Sequence, residues 1–293
     1  DAVSTIENSG MMFIGPYRRV VIREPEIDTV ERTNVGGACS GIAVSQFTGT
    51  VDIYSPKVSR VLTTSAIDAD GIKVFGKPVS GVLANKRQGV ATIHFGVFTD
   101  NQGRQFKSQC SETTIIKPIS IRQNVVSIPS GVDFDFQCGN GLLLEPEFIY
   151  KKNAGTSPLG ASFRPVIFQQ LIENEEMSGR CIDGKMITEV AMLGFCGVTH
   201  SAGAKESVTK VKGLRVIPSG GLATTAFTTS IIETRADTIE AKSARTTIEV
   251  SDCNGPLECY GISYTSYNGT ALTSKLNIVV KDNFNTLLGT AYL

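Results

Sequence analysis

The sequence is poor in the residues that most catalytic and metal sites need. It has no tryptophan and only two histidines, His94 and His200. Two imidazoles cannot build a histidine-rich zinc site, and the His-Glu-x-x-His motif is absent. The glycine-rich motifs that bind phosphate at a strand-to-helix turn are absent as well. The sequence therefore predicts neither a metal nor a cofactor.

The chain also lacks an excess of either charge. Lys and Arg number 28, and Asp and Glu also number 28. A nucleic-acid binder usually carries a basic excess that neutralises phosphates, so no nucleic-acid partner is predicted. Aromatic residues make up only 7% of the chain, which argues against a lectin built on stacked rings. No apolar run approaches the roughly 18 residues of a membrane-spanning helix, so none is predicted in these residues.

Strand-like patterns are abundant by contrast. The clearest is a hairpin in which residues 261–267 and 270–280 flank Asn268-Gly269, the preferred dipeptide of a type I′ turn. Asn268 also opens the only Asn-x-Ser/Thr sequon, so it is a candidate glycosylation site, although the turn alone explains the dipeptide. This hairpin predicts antiparallel pairing near the C-terminus.

One helix is predicted, over residues 165–177. Pro165 suits a first helical turn, an apolar stripe follows it, and Gly179 can end the helix. The predicted fold is mainly β, with antiparallel β-sandwich-like units and this short central helix. Residues 1–155 would form an N-terminal β domain and residues 156–293 a C-terminal β domain. A single large β domain is the alternative.

The seven cysteines contain no Cys-x-x-Cys motif, which removes the main support for a zinc ribbon or a thioredoxin-type site. Their spacing suggests three disulfides and leaves Cys39 over: Cys253 with Cys259, Cys181 with Cys196, and Cys110 with Cys138. Disulfides favour an oxidising, extracytoplasmic compartment. Buried free thiols are the alternative, because buried cysteine behaves as a small hydrophobic residue. The first residue, Asp1, suggests a processed or excised chain.

The strongest catalytic candidate is Cys39 as a nucleophile. Its small neighbours in the Gly37–Gly41 segment would admit a substrate and supply backbone N–H donors to an oxyanion. His200 or His94 would then act as the base. The flanking residues of papain-like enzymes are missing, so a cysteine in an ordinary loop is the favoured interpretation.

Two groups of carboxylates also invite a chemical interpretation. Asp68 and Asp70 match only the start of a calcium-binding loop, so a tight turn with solvated acids is favoured. Asp133 and Asp135 lie two residues apart on a strand and would share one face, as an acid and base pair does. Because Phe134 lies between them, the pattern predicts a solvent face above a core face, without catalysis.

These observations favour a structural protein over an enzyme. The predicted function is a subunit of an extracytoplasmic or virion surface assembly, of the pilus or coat type, which acts through contacts with itself or related subunits. One alternative is a fragment of a surface attachment or membrane-fusion glycoprotein. The other is a cysteine-dependent hydrolase that uses Cys39.

Overall fold

A computed structural model shows three parallel β-sheets, which the chain visits in turn to form a β-solenoid. The structure describes residues 8–32, 38–63, 69–79, 86–123, 131–137, 139–151, 163–170, 176–190, 192–200, 206–219, 227–236, 245–255, 262–266, 276–285 and 290–292. Within these ranges there is no helix, and hence none that could span a membrane.

The strands are, in chain order, β1 (Asn8–Ile14), β2 (Arg19–Arg23), β3 (Glu26–Arg32), β4 (Cys39–Phe47), β5 (Thr50–Tyr54), β6 (Lys57–Thr63), β7 (Ala69–Gly76), β8 (Val90–His94), β9 (Val97–Thr99), β10 (Phe106–Gln109), β11 (Glu112–Ile116), β12 (Ile119–Arg122), β13 (Val132–Gln137), β14 (Asn140–Leu144), β15 (Glu147–Tyr150), β16 (Arg164–Gln170), β17 (Glu176–Ile182), β18 (Lys185–Thr188), β19 (Met192–His200), β20 (Glu206–Lys212), β21 (Arg215–Pro218), β22 (Phe227–Ala236), β23 (Arg245–Ser251), β24 (Asn254–Gly255), β25 (Ile262–Ser266), β26 (Leu276–Lys281), β27 (Asn283–Asn285) and β28 (Thr290–Tyr292).

Each strand from β1 to β24 pairs with the strand three places further along the chain. Sheet A has the order β1-β4-β7-β10-β13-β16-β19-β22-β25, sheet B has β2-β5-β8-β11-β14-β17-β20-β23-β26, and sheet C runs from β3 through β6, β9, β12, β15, β18, β21 and β24 to β27 and β28. One passage through sheets A, B and C is called a coil below. Among the described strands, only β27 and β28 pair in the antiparallel direction. The prediction of antiparallel β-sandwich units is therefore wrong.

The predicted helix over residues 165–177 is also wrong. Residues 165–170 belong to β16, which pairs in parallel with β13 and β19, and Glu176 and Met177 begin β17. Residues 171–175 lie outside the described ranges. Of the apolar residues that suggested a helical stripe, Phe168 points into the core and Ile167 is half-buried, while Leu171 and Ile172 lie outside the described ranges. The pairing of β13 with β16 and of β14 with β17 carries sheets A and B past residue 155, where the boundary between two β domains was predicted.

The C-terminal hairpin is not formed either. Its first run, β25, pairs with β22 in sheet A, and its second run, β26, pairs with β23 in sheet B. The two runs thus lie in different sheets, each parallel to its neighbour. The predicted turn at Asn268-Gly269 lies outside the described residues, so the fate of Asn268 stays a prediction.

One short turn recurs wherever sheet B leads into sheet C, and is called the B–C corner. Its first residue has a positive φ in nine successive coils: Glu24, Ser55, Phe95, Lys117, Glu145, Asp183, Gly213, Asp252 and Asp282. The N–H of this residue donates to a carbonyl of the next coil, as from Glu145 to Ile182 at 2.8 Å. The repeated bond holds consecutive coils in one register.

Inward-facing side chains stack from coil to coil to form the core. In sheet A the rings of Phe136 and Phe168 are stacked with centroids 5.1 Å apart. Opposite them, Gly141 and Gly179 are register partners in sheet B. A Cβ at either glycine would clash with one of these rings, so glycine is required here by close packing.

Candidate functional site

Among the described side chains, the structure does not assemble the catalytic site predicted around Cys39. Cys39 begins β4 and is fully buried, and its Sγ donates a hydrogen bond to the Val30 carbonyl at 3.7 Å. His94 lies on the outer face of sheet B, where its ring stacks on Tyr54. His200 ends β19, and its side chain lies outside the described part of the chain. A buried thiol on sheet A and an outward imidazole on sheet B cannot act on one substrate.

The structure describes five of the seven cysteines, and all five side chains are buried: Cys39, Cys110, Cys181, Cys196 and Cys253. Cys181 and Cys196 are not joined in a disulfide in this structure. The disulfides predicted for Cys110 and Cys253 stay predictions. Their expected partners, Cys138 and Cys259, lie outside the described residues. For Cys181, Cys196 and Cys253, the structure agrees with the alternative prediction of buried thiols.

Burial also makes three of these thiols unreactive. It raises the pKa of Cys253 to about 12, and it raises the pKa of Cys181 and of Cys196 well above the usual thiol range. Only the thiolate is a good nucleophile, so a buried thiol with a raised pKa is chemically inert. These three cysteines serve as core residues.

Asp133 and Asp135 do not form the solvent face that alternation predicted, because both side chains are buried. The Asp133 carboxylate accepts hydrogen bonds from Ser120 Oγ at 2.5 Å, Arg122 Nε at 2.6 Å and Tyr150 Oη at 2.5 Å. These donors belong to the inner face of sheet C, and Asp133 meets them at the corner where sheet C leads into sheet A. The prediction fails because the neighbouring sheet covers that end of β13.

Asp135 is held by a different set of donors. Its carboxylate accepts hydrogen bonds from Arg104 Nε, Gln137 Nε2 and Gln169 Nε2, each at 2.7 Å. A carboxylate that accepts hydrogen bonds from three N–H donors is held firmly in one position by the structure. Asp133 and Asp135 therefore link neighbouring coils through hydrogen bonds.

Asp70 is a buried strand residue and not part of a solvated turn. It lies in β7, and its Oδ1 accepts a hydrogen bond from the Arg104 backbone N–H at 3.1 Å. Asp68 lies outside the described residues. In the part of the chain that the structure describes, no cluster of three or more His, Cys, Asp or Glu side chains has metal-binding geometry.

The accessible features lie on the outer faces of the solenoid. The first is a groove of about 400 Å³ on sheet C in the three N-terminal coils, called the polar groove and lined in part by Glu26, Lys57, Arg60 and Asp100. Arg60 is hydrogen-bonded to Asp28 and Thr29. Thr29, Arg60 and Asp100 all have a positive φ, which is costly for a β-branched threonine.

The second feature is a row of four isoleucines further along the same face, called the isoleucine ladder: Ile121, Ile149, Ile187 and Ile217. They are register partners in four consecutive strands of sheet C. Each is half-buried and alternates with a buried inward residue, so all four point outward. The ladder is an apolar stripe at positions where a solvated sheet usually carries polar side chains.

Charged residues border the ladder on both sides. Before it, Lys185 Nζ lies 2.7 Å from the Glu147 carboxylate of the adjacent strand. After it come Lys151, which is exposed, and Glu189, which is half-buried. The Lys151 N–H donates to the Arg122 carbonyl and the Glu189 N–H donates to the Tyr150 carbonyl. Both residues therefore continue the register of sheet C beyond the ends of β15 and β18. The stripe is therefore apolar along its centre and charged along its edges.

The third feature is a planar stack on the outer face of sheet B. The Arg23 guanidinium lies 4.8 Å from the centre of the Tyr54 ring, and the Tyr54 and His94 rings lie 4.4 Å apart and nearly parallel. The neighbouring Phe95 is 53% exposed. The stack joins the first three coils.

Comparison with known proteins finds no family model, no curated protein and no solved structure that matches this chain.

The sequence does contain a signal for the isoleucine ladder. Each isoleucine lies four residues after the positive-φ residue of its B–C corner, as Ile121 follows Lys117 and Ile149 follows Glu145. In most coils the residue directly after the corner position is proline or glycine. Alignment of the chain on these corners would have placed the four isoleucines in one column.

Proposed function

We propose that this chain is a structural subunit of a surface assembly and acts through contacts between subunits. The observation that carries the proposal is the isoleucine ladder. Isolated apolar residues are common on protein surfaces, but a continuous apolar stripe usually marks a contact with another molecule. A solenoid suits such a role, because stacked coils present the same face repeatedly along one direction.

The buried chemistry supports the same proposal. Cys39 is inaccessible, and the carboxylates of Asp133 and Asp135 accept hydrogen bonds from donors in neighbouring coils. These groups join one coil to the next and leave no reacting atom for a substrate to approach. The location of the assembly, whether on a pilus, a coat or another extracytoplasmic or virion surface, stays a prediction, and the free thiols add no support to it.

The proposal is tested by negative-stain microscopy of the purified chain over a range of concentrations. Ordered oligomers or polymers of constant width are expected. Particles that stay single at every concentration would contradict the proposal. Iodoacetamide labelling of the native chain provides a check on the hydrolase alternative, because the buried Cys39 should stay unlabelled until the chain is unfolded.

A second candidate, surface attachment, is favoured by the polar groove. Asp28 accepts a hydrogen bond from Ser59 at 2.6 Å, and this bond together with the nearby Arg60 charge holds the pKa of Asp28 below its usual value. An ionised carboxylate beside a guanidinium, in a groove of about 400 Å³, is suited to a hydroxyl-rich ligand such as a glycan. Glycan-array binding that is lost in Arg60→Ala would support attachment, and absence of binding by the unmodified chain would exclude it.

A further inference from the structure

We infer that the isoleucine ladder docks onto the isoleucine ladder of a second copy of this chain, so that the sheet C faces of two solenoids pack around a twofold axis. The inference rests on the proposed function and names the partner for its contact surface. It is carried by the arrangement of charges around the ladder, which is complementary to itself.

Two neighbouring strands carry opposite charges in opposite order. In β15 and the residue that follows it, Glu147 lies before Ile149 and Lys151 lies after it. In the next coil, Lys185 and Glu189 occupy the corresponding positions around Ile187, so that lysine comes first and glutamate second. The four charges alternate at the corners of a rectangle with the two isoleucines at its centre.

This pattern makes the face complementary to a copy of itself. Two sheets that pack face to face with twofold symmetry have their axis in the plane of contact. If the axis runs along the strands, Glu147 meets Lys185 of the second copy and Lys151 meets Glu189. If it runs along the solenoid, Glu147 meets Lys151 of the second copy and Lys185 meets Glu189. Both arrangements pair opposite charges, and like charges never face each other.

The apolar residues obey the same symmetry. With the axis along the strands, Ile149 packs on Ile187 of the second copy, and Ile121 packs on Ile217. With the axis along the solenoid, each isoleucine packs on its own counterpart. Sheets that pack face to face lie about 10 Å apart, a distance that two layers of β-branched side chains fill. The result is an apolar centre with a charged rim, which is the usual anatomy of a protein interface.

Sedimentation equilibrium of the unmodified chain and of Ile149→Arg tests the inference. Each dimer contains the substitution twice at the centre of the contact, so the dimer dissociation constant should rise at least 30-fold, a threshold of about 2 kcal/mol for a hot spot. Leu142→Arg is the matched control, because Leu142 is a half-buried outward residue on sheet B. It should leave the dissociation constant within about threefold.

A charge reversal provides a second readout that does not disturb the apolar centre. Glu147→Lys and Lys185→Glu should each weaken the dimer, since each creates like charges under either axis. For an axis along the strands, the double variant Glu147→Lys with Lys185→Glu should restore dimerisation to within about threefold of the unmodified chain, because residues 147 and 185 then face each other with opposite charges. For an axis along the solenoid, the double variant Glu147→Lys with Lys151→Glu should do so instead. Failure of both double variants to recover would overturn the assignment of the charged rim. Thermal unfolding of each variant would show whether the fold is kept.

The outcomes separate the inference from the proposed function. If the unmodified chain associates and Ile149→Arg does not weaken it, the inference is overturned while a structural role stands. If the unmodified chain is monomeric throughout, both are overturned. Disulfide crosslinking then identifies the axis: Ile149→Cys crosslinks to itself for an axis along the solenoid, and Ile149→Cys crosslinks to Ile187→Cys for an axis along the strands. Absence of both crosslinks would contradict the contact.

Discussion

At the scale of single residues, the most informative group is the ion pair between Arg122 and Asp133. Both side chains are completely buried. Arg122 also donates hydrogen bonds to the backbone carbonyls of Asn101 and Gly103, so the charge is fully hydrogen-bonded. Such a pair contributes little net stability compared with apolar residues, but it is very sensitive to the loss of one member. We infer that it specifies how sheet C meets sheet A.

Asp133→Asn should destabilise the fold by about 3–5 kcal/mol, because it leaves the buried Arg122 charge uncompensated. The control is Glu145→Gln, which breaks the exposed pair of Lys117 and Glu145 and should cost less than about 1 kcal/mol. Urea unfolding followed by circular dichroism measures both. Equal effects of the two substitutions would show that the Arg122–Asp133 pair is not buried as described.

The buried thiols predict a loss of stability at alkaline pH. Burial raises the pKa of Cys181, Cys196 and Cys253 above that of an unfolded thiol, which is about 8.5. The folded chain therefore holds protons that the unfolded chain releases. The contribution of the three thiols to the free energy of unfolding is complete below about pH 8.5. For each thiol it falls by about 1.4 kcal/mol per pH unit as the pH rises from there toward the pKa of the folded state. Tyr150, whose burial also raises its pKa, should add to the loss above about pH 10.

The measurement is the unfolding free energy at several values between pH 8 and 11. Cys253→Ala should reduce the slope of the unfolding free energy against pH by about 1.4 kcal/mol per pH unit. Any loss of packing in this variant shifts the free energy equally at every pH and does not change the slope. A slope that Cys253→Ala leaves unchanged would mean that this thiol ionises normally in the folded chain.

At the scale of elements, the B–C corner organises the fold. Its positive-φ residue is usually not glycine, and Phe95 has a φ of 56°. A bulky residue in this conformation is unfavourable by about 1–2 kcal/mol, whereas glycine adopts it freely. The corner tolerates the strain because its backbone hydrogen bonds fix the conformation, as from Phe95 N–H to the Ile116 carbonyl at 2.8 Å.

Phe95→Gly should therefore raise stability by about 0.5–1 kcal/mol, after the entropic cost of glycine in the unfolded chain. Phe95→Val should lower it by about 1 kcal/mol, since a β-branched residue is least compatible with a positive φ. Thermal unfolding midpoints compare the two variants. The reverse order of stability would show that this corner does not have the described conformation.

Gly179 supports a second prediction about elements, because the Phe168 ring occupies the space where its side chain would lie. Gly179→Ala should cost about 1–3 kcal/mol through overpacking. The additional change Phe168→Leu should cost less in the Gly179→Ala background than it does alone. Additive effects in this double-mutant cycle would contradict direct packing between sheets A and B at this position.

The strands themselves could be predicted from the sequence, but their pairing could not. Residues 132–136 and 262–266 are β-strands as their composition indicated. Polar and apolar residues alternate in the same way along parallel and antiparallel strands, so the pattern does not reveal the pairing. The Asn268-Gly269 dipeptide indicated a local hairpin, and no comparably strong signal indicated pairing with strands far apart in the sequence. The helix prediction at Pro165 failed because a short apolar run does not distinguish a buried strand from a helix.

At the scale of the whole molecule, the repeat is regular in space and irregular in sequence. The corner residues Glu24, Ser55 and Phe95 are separated by unequal numbers of residues, because the connections on either side of sheet A vary in length. A search at a fixed period would miss such a repeat. The isoleucine ladder was missed for the same reason, since its members become neighbours only when the coils are stacked.

The outer face of sheet C is the surface through which we propose that the molecule associates. In a solenoid each coil contacts only its neighbours, so most outward positions are free to vary without effect on the core. The preservation of isoleucine at one outward position over four consecutive coils is therefore best explained by a contact outside the chain. The proposed structural role depends on that contact.

The most direct test is carbene footprinting of the unmodified chain, with mass spectrometry of peptides from dilute and concentrated samples. Labelling of the peptides that contain Ile149 and Ile187 should fall as the concentration rises, because a second copy covers the isoleucine ladder. Labelling of the peptide that contains Leu142 should stay constant. Labelling of the ladder that is independent of concentration, or protection of Leu142 instead, would contradict the assignment of sheet C as the contact surface.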